Sequence, residues 1–266
     1  MATSDHTKEL SGLLDDAVAS GATPAFCGIV GTLDEGGPRF VYAGGRTHRD
    51  HGAPAVDEST VFDLASLTKV LATALLCAEA VHEGKINLDE TPWPAWPGVR
   101  IRHILAHEGG LPAWAPFFTQ VPRLEVGLPA GATHVLRQVF ASAPERPPGE
   151  GTRYSDLGFI ALGALLEERL GARLDQLFEK TAGEAYGAHG LRFVPLYEDG
   201  YHPSVPWVAA TTRCGWRGRV IQGQVDDENA FAMGGVAGHA GLVGPGFAVE
   251  RAARALRDRW EARGAL

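Results

Sequence analysis

The segment from Val61 to Ala80 constrains the fold more than any other part of the chain. Its run LTKVLATALLCAEAV is apolar on nearly every side of a helix, and such a helix is stable only when other elements cover it all round. Asp63, Ser66 and Thr68, near its start, are helix-entry residues. The rest of the chain must supply the covering layers. Its 266 residues are 45% hydrophobic and 21% charged, the profile of a globular protein with a real core. The 34 Gly and 17 Pro point to many turns rather than disorder, because apolar residues recur along the whole length.

The covering elements are legible in part. Lys8 to Ala19 carries a helical stripe at Leu10, Leu13, Leu14, Ala17 and Val18. Ala25 to Leu33 and Arg39 to Ala43 flank the turn signal Asp34-Glu35-Gly36-Gly37 and predict a hairpin. Helices are expected over Ile101–His107, Ala132–Ser142, Leu157–Leu170 and Leu174–Thr181, with Asp156 as the N-cap of the third. Leu111 to Pro129 reads as loop, and Gly183 to Gly246 as irregular. Phe247 to Arg263 is expected to close the chain as an amphipathic helix, with Val249, Ala252, Ala253, Leu256 and Trp260 on one side.

Several function classes are poor fits. The net charge is −8 with no long basic run, so no nucleic-acid partner is expected. No apolar run reaches membrane-spanning length. MATSDHTKEL has no apolar core of the signal-peptide kind, so the expected location is cytoplasmic. Cys27, Cys77 and Cys214 form no Cys-x-x-Cys pair and read as reduced, mostly buried thiols. His103 and His107 stand four apart but lack the Glu of a zinc helix, and His48 and His51 flank a lone Asp50. Asp226-Asp227-Glu228 reads as a solvated turn, too sparse in ligands for calcium. No metal and no cofactor are expected. The tryptophans at 93, 96, 114, 207 and 216 fall mostly in loops, where loop packing or an apolar pocket would use them.

The chemistry starts at Ser66-Leu67-Thr68-Lys69. Residues three apart share a helical face, so the hydroxyl and the amine can meet. A helix start also favours a developing anion. A serine hydroxyl needs an adjacent base. Lysine can serve where burial or positive neighbours favour its neutral form, and Phe62, Leu64, Ala65, Val70 and Leu71 are the expected apolar surround. The chain has 8 Ser and 4 Lys against 20 Arg, and chance placement gives only ~0.1 such pairs. Arginine cannot release its proton and lysine can, which is a reason for a lysine in the most apolar helix. The bland alternative is a capping serine beside a lysine that reaches for solvent. Tyr154-Ser155-Asp156 follows the turn Pro147-Pro148-Gly149-Glu150-Gly151. A tyrosine there can offer its hydroxyl to a cleft for proton transfer, or simply sit at the edge of the core.

Three blocks in order carry a resemblance: Phe62-Asp63-Leu64-Ala65-Ser66-Leu67-Thr68-Lys69, Ile104-Leu105-Ala106-His107-Glu108-Gly109-Gly110-Leu111-Pro112, and Pro148-Gly149 with Tyr154-Ser155-Asp156-Leu157-Gly158-Phe159. From about Gly28 to Gly244 the chain resembles the β-lactamase-related serine hydrolases, which include class C β-lactamases, D-alanyl-D-alanine carboxypeptidases, D-amino-acid peptidases and carboxylesterases. The resemblance implies an α/β (α+β) fold of the β-lactamase/transpeptidase type. An antiparallel sheet flanked by helices, possibly incomplete here, would stand beside a mainly helical lobe. The approximate divisions are 1–65 for the hairpin and sheet part, 66–246 for the helical lobe and 247–266 for a closing helix. It also implies an acyl-enzyme on Ser66, with Lys69 and Tyr154 moving protons and His107 in a structural hydrogen bond. The substrate would be a small molecule or peptide, with esters or amides favoured over β-lactams because no secretion signal is seen.

Two departures matter. Asp156 stands where the family usually has Asn. The family's third motif, Lys-Thr-Gly or His-x-Gly on a strand, has one similar triplet, His239-Ala240-Gly241. Its setting, Gly234-Gly235-Val236-Ala237-Gly238-His239-Ala240-Gly241-Leu242, is more similar to the Gly-rich segment before a helix in relatives. On that reading the chain ends before the third motif and the last strands; on the other, His239 is the third element. A non-catalytic relative with a binding or regulatory role therefore stands beside the hydrolase reading.

Overall fold

The start of the apolar segment is a strand and a tight turn. In the computed structural model, which describes residues 2–32, 39–50, 52–186, 190–196 and 208–262, Val61–Asp63 is extended (β3). The chain then turns at Ala65, whose φ of 44° lies in the left-handed region. The helix expected from Val61 therefore begins after Ser66, because β3 pairs antiparallel with a late strand, β7 (Leu242–Pro245), and Leu64 N–H continues onto Leu242 O. A strand pairing 180 residues away leaves no trace in local helical periodicity. The helix opens as a π-helical stretch, Lys69–Ala74, and continues as α2 (Leu75–His82). Such wide turns are uncommon and cluster at functional sites.

The central position expected for this helix holds. Leu71, Ala72, Leu75, Leu76, Cys77 and Ala80 are buried, packed against α5 (Asp156–Leu170), which is itself buried on nearly every face. Two glycines allow that packing. A Cβ on Gly163 would lie 2.9 Å from the backbone of Gly238, and a Cβ on Gly238 would lie 2.1 Å from Phe159 O. Helix α5 and the 234–241 turn thus touch backbone to backbone, which no side chain would permit. α5 ends at Gly171, left-handed at φ 73°. Around this pair lie α3 (Ile101–Leu105), α4 (Pro129–Ala141), which begins with its proline at the first turn, and α6 (Leu174–Tyr186). Trp93 and Trp96 are buried, and Trp96 donates to Ser142 O at 2.8 Å.

Among the described residues the strands form three small antiparallel sheets. β1 (Ala25–Gly31) and β2 (Arg39–Gly45) make the expected hairpin, registered from Ala25 opposite Gly45 to Gly31 opposite Arg39. Its turn signal lies outside the described residues. Helices α1 (Ala2–Ala19) and α8 (Gly246–Ala262) pack on this hairpin, while Trp260's side chain lies outside the description. β7 is the centre of the second sheet, between β3 and β4 (Arg192–Phe193). β5 (Ala210–Cys214) and β6 (Arg219–Gln222) form the third. A short helix, α7 (Glu228–Ala232), follows. Among its described residues, the stretch read as irregular therefore holds four short strands, two to five residues each, too brief for a periodic signal. β1 and β3 line one apolar cavity of about 580 Å³, with Phe26, Ile29, Phe62 and Leu64 in its wall. No helix among the described residues is long and apolar enough to cross a membrane.

Candidate active site

Ser66 lies on the turn that β3 enters and the π-helical stretch leaves, and its residue is exposed. Lys69, one turn on, is 2% exposed. Its Nζ stands 2.9 Å from Ser66 Oγ, 3.1 Å from the backbone oxygen of His239 and 2.7 Å from Asp156 Oδ1, the last an ion pair. An ammonium has N–H donors and no acceptor, so it gives hydrogen bonds to Ser66 and His239 and balances its charge against Asp156. The residues that bury Lys69 are largely not those expected. Val70 is 58% exposed and Ala65 faces solvent. Shelter comes instead from the rings of Tyr154 and Phe159, with centroids 4.9 and 5.8 Å from Nζ, and from the Gly238–His239 backbone. The 234–241 turn is fastened to the lysine helix twice more: Thr73 Oγ1 donates to Gly238 O at 2.7 Å, and Thr68 Oγ1 accepts from Leu242 N at 3.1 Å.

Tyr154 is half-exposed and leads into α5. His107 supports it from below. The histidine has a left-handed φ of 57°, packs against Tyr154 with the rings tilted by 36° and their centroids 4.4 Å apart, and accepts Ser155 N–H on Nδ1 at 3.1 Å. Burial, then the nearby Lys69 charge, hold its imidazole below the ordinary value against a smaller opposing pull from Asp156. Asp156 is not the N-cap. Ser155 holds that position in extended geometry, with its hydroxyl given to Pro112 O at 2.6 Å. Asp156 is the first helical residue and turns its carboxylate to the lysine.

His239 reaches the site through its main chain. Its ring is buried and pairs through Nε2 with Asp227 Oδ1 at 2.9 Å, while Nδ1 has no hydrogen-bond partner. Asp227 also caps α7, accepting Ala230 N–H at 2.7 Å. Burial alone would raise its carboxyl. The His239 charge and hydrogen bond, the Ala230 N–H and the Lys69 charge outweigh that and hold it at about 2. The reading of Asp226-Asp227-Glu228 as a solvated turn is therefore corrected: Asp227 is 23% exposed and bonded on both sides. Asp226 takes the hydroxyls of Thr211 and Thr212 at 2.6 and 2.9 Å. Asp227 was missed because its partner is twelve positions on; the signal present was an acidic residue just before Glu228-Asn229-Ala230, an N-cap pattern.

The other histidines are occupied locally. His103 Nδ1 accepts Arg100 N–H at 3.2 Å, and His48 Nδ1 accepts Asp50 N–H at 3.1 Å, while His51 lies outside the described residues. No cluster of three or more His, Cys, Asp or Glu suited to a metal occurs among the described residues. Cys77 and Cys214 are buried and Cys27 half-buried, all as free thiols. Trp114 and Trp216 are partly exposed, Trp216 packing on Phe118 and Phe231, and Trp207 lies outside the description.

Comparison with known proteins places the chain in a family. The β-lactamase family model matches residues 28–258, and the chain belongs to that family. A putative D-alanyl-D-alanine carboxypeptidase of Salmonella paratyphi A (strain ATCC 9150 / SARB42) is 33% identical over 213 residues, covering 69% of this chain and 48% of the relative. The chain thus spans about half the length of the curated relatives it matches. The octameric penicillin-binding protein homologue from Pyrococcus abyssi superposes with a TM-score of 0.71 at 18% identity, over 95% of this chain and 56% of the other. The D-amino acid amidase from Ochrobactrum anthropi SV3, complexed with L-phenylalanine amide, gives 0.70 at 21% identity, over 96% and 71%. These likenesses establish the β-lactamase/transpeptidase-like α/β fold.

Proposed function

We propose that the protein is a serine hydrolase that cleaves an ester or amide of a small molecule or peptide through an acyl-enzyme on Ser66. One observation carries the reading: a buried lysine amine 2.9 Å from an exposed serine hydroxyl, with the His239 carbonyl accepting from it and the Asp156 carboxylate paired with it at 2.7 Å. A neutral amine has two N–H groups and one lone pair. Once Lys69 gives up one proton, an N–H can stay on the His239 carbonyl while the lone pair turns to Ser66 Oγ–H, 2.9 Å away. That is the geometry of a general base and its nucleophile.

In this mechanism Ser66 Oγ bonds to the substrate carbonyl carbon as its proton passes to Lys69 Nζ. The Ser66 N–H, at the start of the helix, helps hold the oxyanion. The C–O or C–N bond then breaks, and the leaving group takes a proton relayed through the Tyr154 hydroxyl. Water attacks the acyl-serine, the acid departs and Ser66 recovers its proton. His107 holds the Tyr154–Ser155 turn, and Asp156 orients the lysine.

The test uses a fluorescent penicillin and a chromogenic short-chain ester. Wild type is expected to be labelled covalently or to turn over the ester, and Ser66→Ala to do neither. A folded wild-type protein that shows neither activity would leave the alternative, a non-catalytic relative that binds through the same cleft.

A further inference from the structure

We infer that Asp63 is a positioning residue of the Ser66 site, one carboxylate that sets both the nucleophile turn and the acceptor that holds Lys69. The inference rests on the hydrolase reading above. Asp63 ends β3, and its two oxygens bond to two different stretches of chain. Oδ1 accepts Ala65 N–H at 2.8 Å, and Oδ2 accepts Asp226 N–H at 2.7 Å. Ala65 is the left-handed residue immediately before Ser66. A non-glycine residue in that region is strained and persists only where its surroundings over-determine it. The bond to Oδ1 supplies that determination at the step before the nucleophile.

The second bond reaches Lys69 by a different route. Asp226 N–H is anchored next to Asp227, which takes the His239 ring at 2.9 Å, and the His239 carbonyl accepts from Lys69 Nζ at 3.1 Å. The two arms leave one side chain and meet again at the Ser66–Lys69 contact. An aspartate satisfies both N–H groups because each oxygen is an acceptor. Asparagine has one acceptor and would turn an NH₂ toward the other N–H.

Burial raises the Asp63 carboxyl, as do the neighbouring charges of Asp226 and Asp227, while the two backbone N–H groups pull it back in part. The charged groups around it are Asp226 and Asp227 from the turn before α7, Arg192 of β4 in the same small cavity, and Lys69 beyond Asp227. Protonation of Asp63 removes acceptor strength from both arms at once, so the clamp loosens as pH falls into the acidic range.

The experiment is Asp63→Asn, read by the rate of covalent labelling with the fluorescent penicillin or by ester turnover. The rate constant for acylation is expected to fall about 10- to 100-fold, the loss that follows from a misplacement near 1 Å. The concentration for half-saturation should change little. The wild-type fall in rate on acidification should be absent in the variant. A residue needed merely for folding would lower the yield of folded protein and leave the pH profile of the folded fraction unmoved. Should the variant not fold, wild type decides: the amide protons of Ala65 and Asp226 should titrate together, with the same midpoint as the fall in rate. Equal acylation by wild type and variant, or separate midpoints for the two amides, overturns the inference alone. A wild type that is never acylated at Ser66 removes the hydrolase reading and this inference with it.

Discussion

At the residue scale the site is a question of how one buried cation is satisfied. Lys69 sits at 2% exposure with three oxygens around it, and Asp156 supplies the only formal negative charge among them. Removing one partner of a buried pair costs about 3–5 kcal/mol, because the remaining charge is left uncompensated. Asp156→Ala should therefore lower the melting temperature by about 6–12 °C, whereas Asp156→Asn, which keeps an acceptor, should lose much less. Tyr154 is different in kind. It is half-exposed, so Tyr154→Phe should leave the melting curve almost unchanged and cut acylation or deacylation by about 100-fold or more. Equal turnover by the phenylalanine variant would remove Tyr154 from the proton path. Asp227 gives a pH prediction. Its carboxyl lies at about 2 in the folded chain against an ordinary 3.8. A lowered carboxyl contributes stability that is fully present above the unfolded value and lost as pH falls through the folded one. Urea midpoints should thus drop between about pH 4 and pH 2, by the equivalent of about 2 kcal/mol. Asp227→Asn should flatten that acid limb.

At the scale of elements, the site depends on how the 234–241 turn lies against α5 and the lysine helix. Gly238 and Gly163 allow a backbone-to-backbone approach, and the next residue offers its carbonyl to Lys69. Gly238→Ala should lift the turn away from Phe159 O, cost about 1–3 kcal/mol, and slow acylation as well, because the His239 acceptor moves with it. Stability lost with acylation intact would show that the turn and the lysine are not coupled in this way. This is also where the legibility of the sequence divides. Ser66 and Lys69 could be singled out because a scarce residue at helical spacing is a local signal, and Tyr154 because it follows a Pro- and Gly-rich turn just before a helix. The hairpin, α5 and α8 were legible from turn signals and apolar patterning, which are local too. Asp63, Asp227 and the pairing of β3 with β7 were not, since their partners lie 163, 12 and about 180 positions away. The helix expected from Val61 and the cap expected at Asp156 failed for related reasons: a distant strand took the residues that local rules assign to the helix, and Lys69 took the carboxylate that local rules assign to the cap.

For the whole molecule, the burial pattern predicts how it comes apart. The β1–β2 hairpin is a two-stranded sheet held by helices at its faces, and such sheets are marginal alone. α2 and α5 form the buried centre. Cys27 sits half-buried in the hairpin, and Cys77 is fully buried on α2 with its thiol pushed up to about 11 by burial. In mild urea a thiol reagent should modify Cys27 through local opening well before Cys77, which should react only as the molecule unfolds globally. Simultaneous modification would mean that the hairpin and the core open as one unit.

The base is assembled from three places, residues 66, 156 and 239, the last 170 positions from the lysine it holds. A chain that has formed its local helices but has not yet brought the late segment home owns the serine and the lysine on one helical face, and lacks the carbonyl that fixes the amine. On the proposed mechanism, full reactivity at Ser66 therefore waits for that segment. That dependence makes acyl transfer to that serine a gauge of the complete native state.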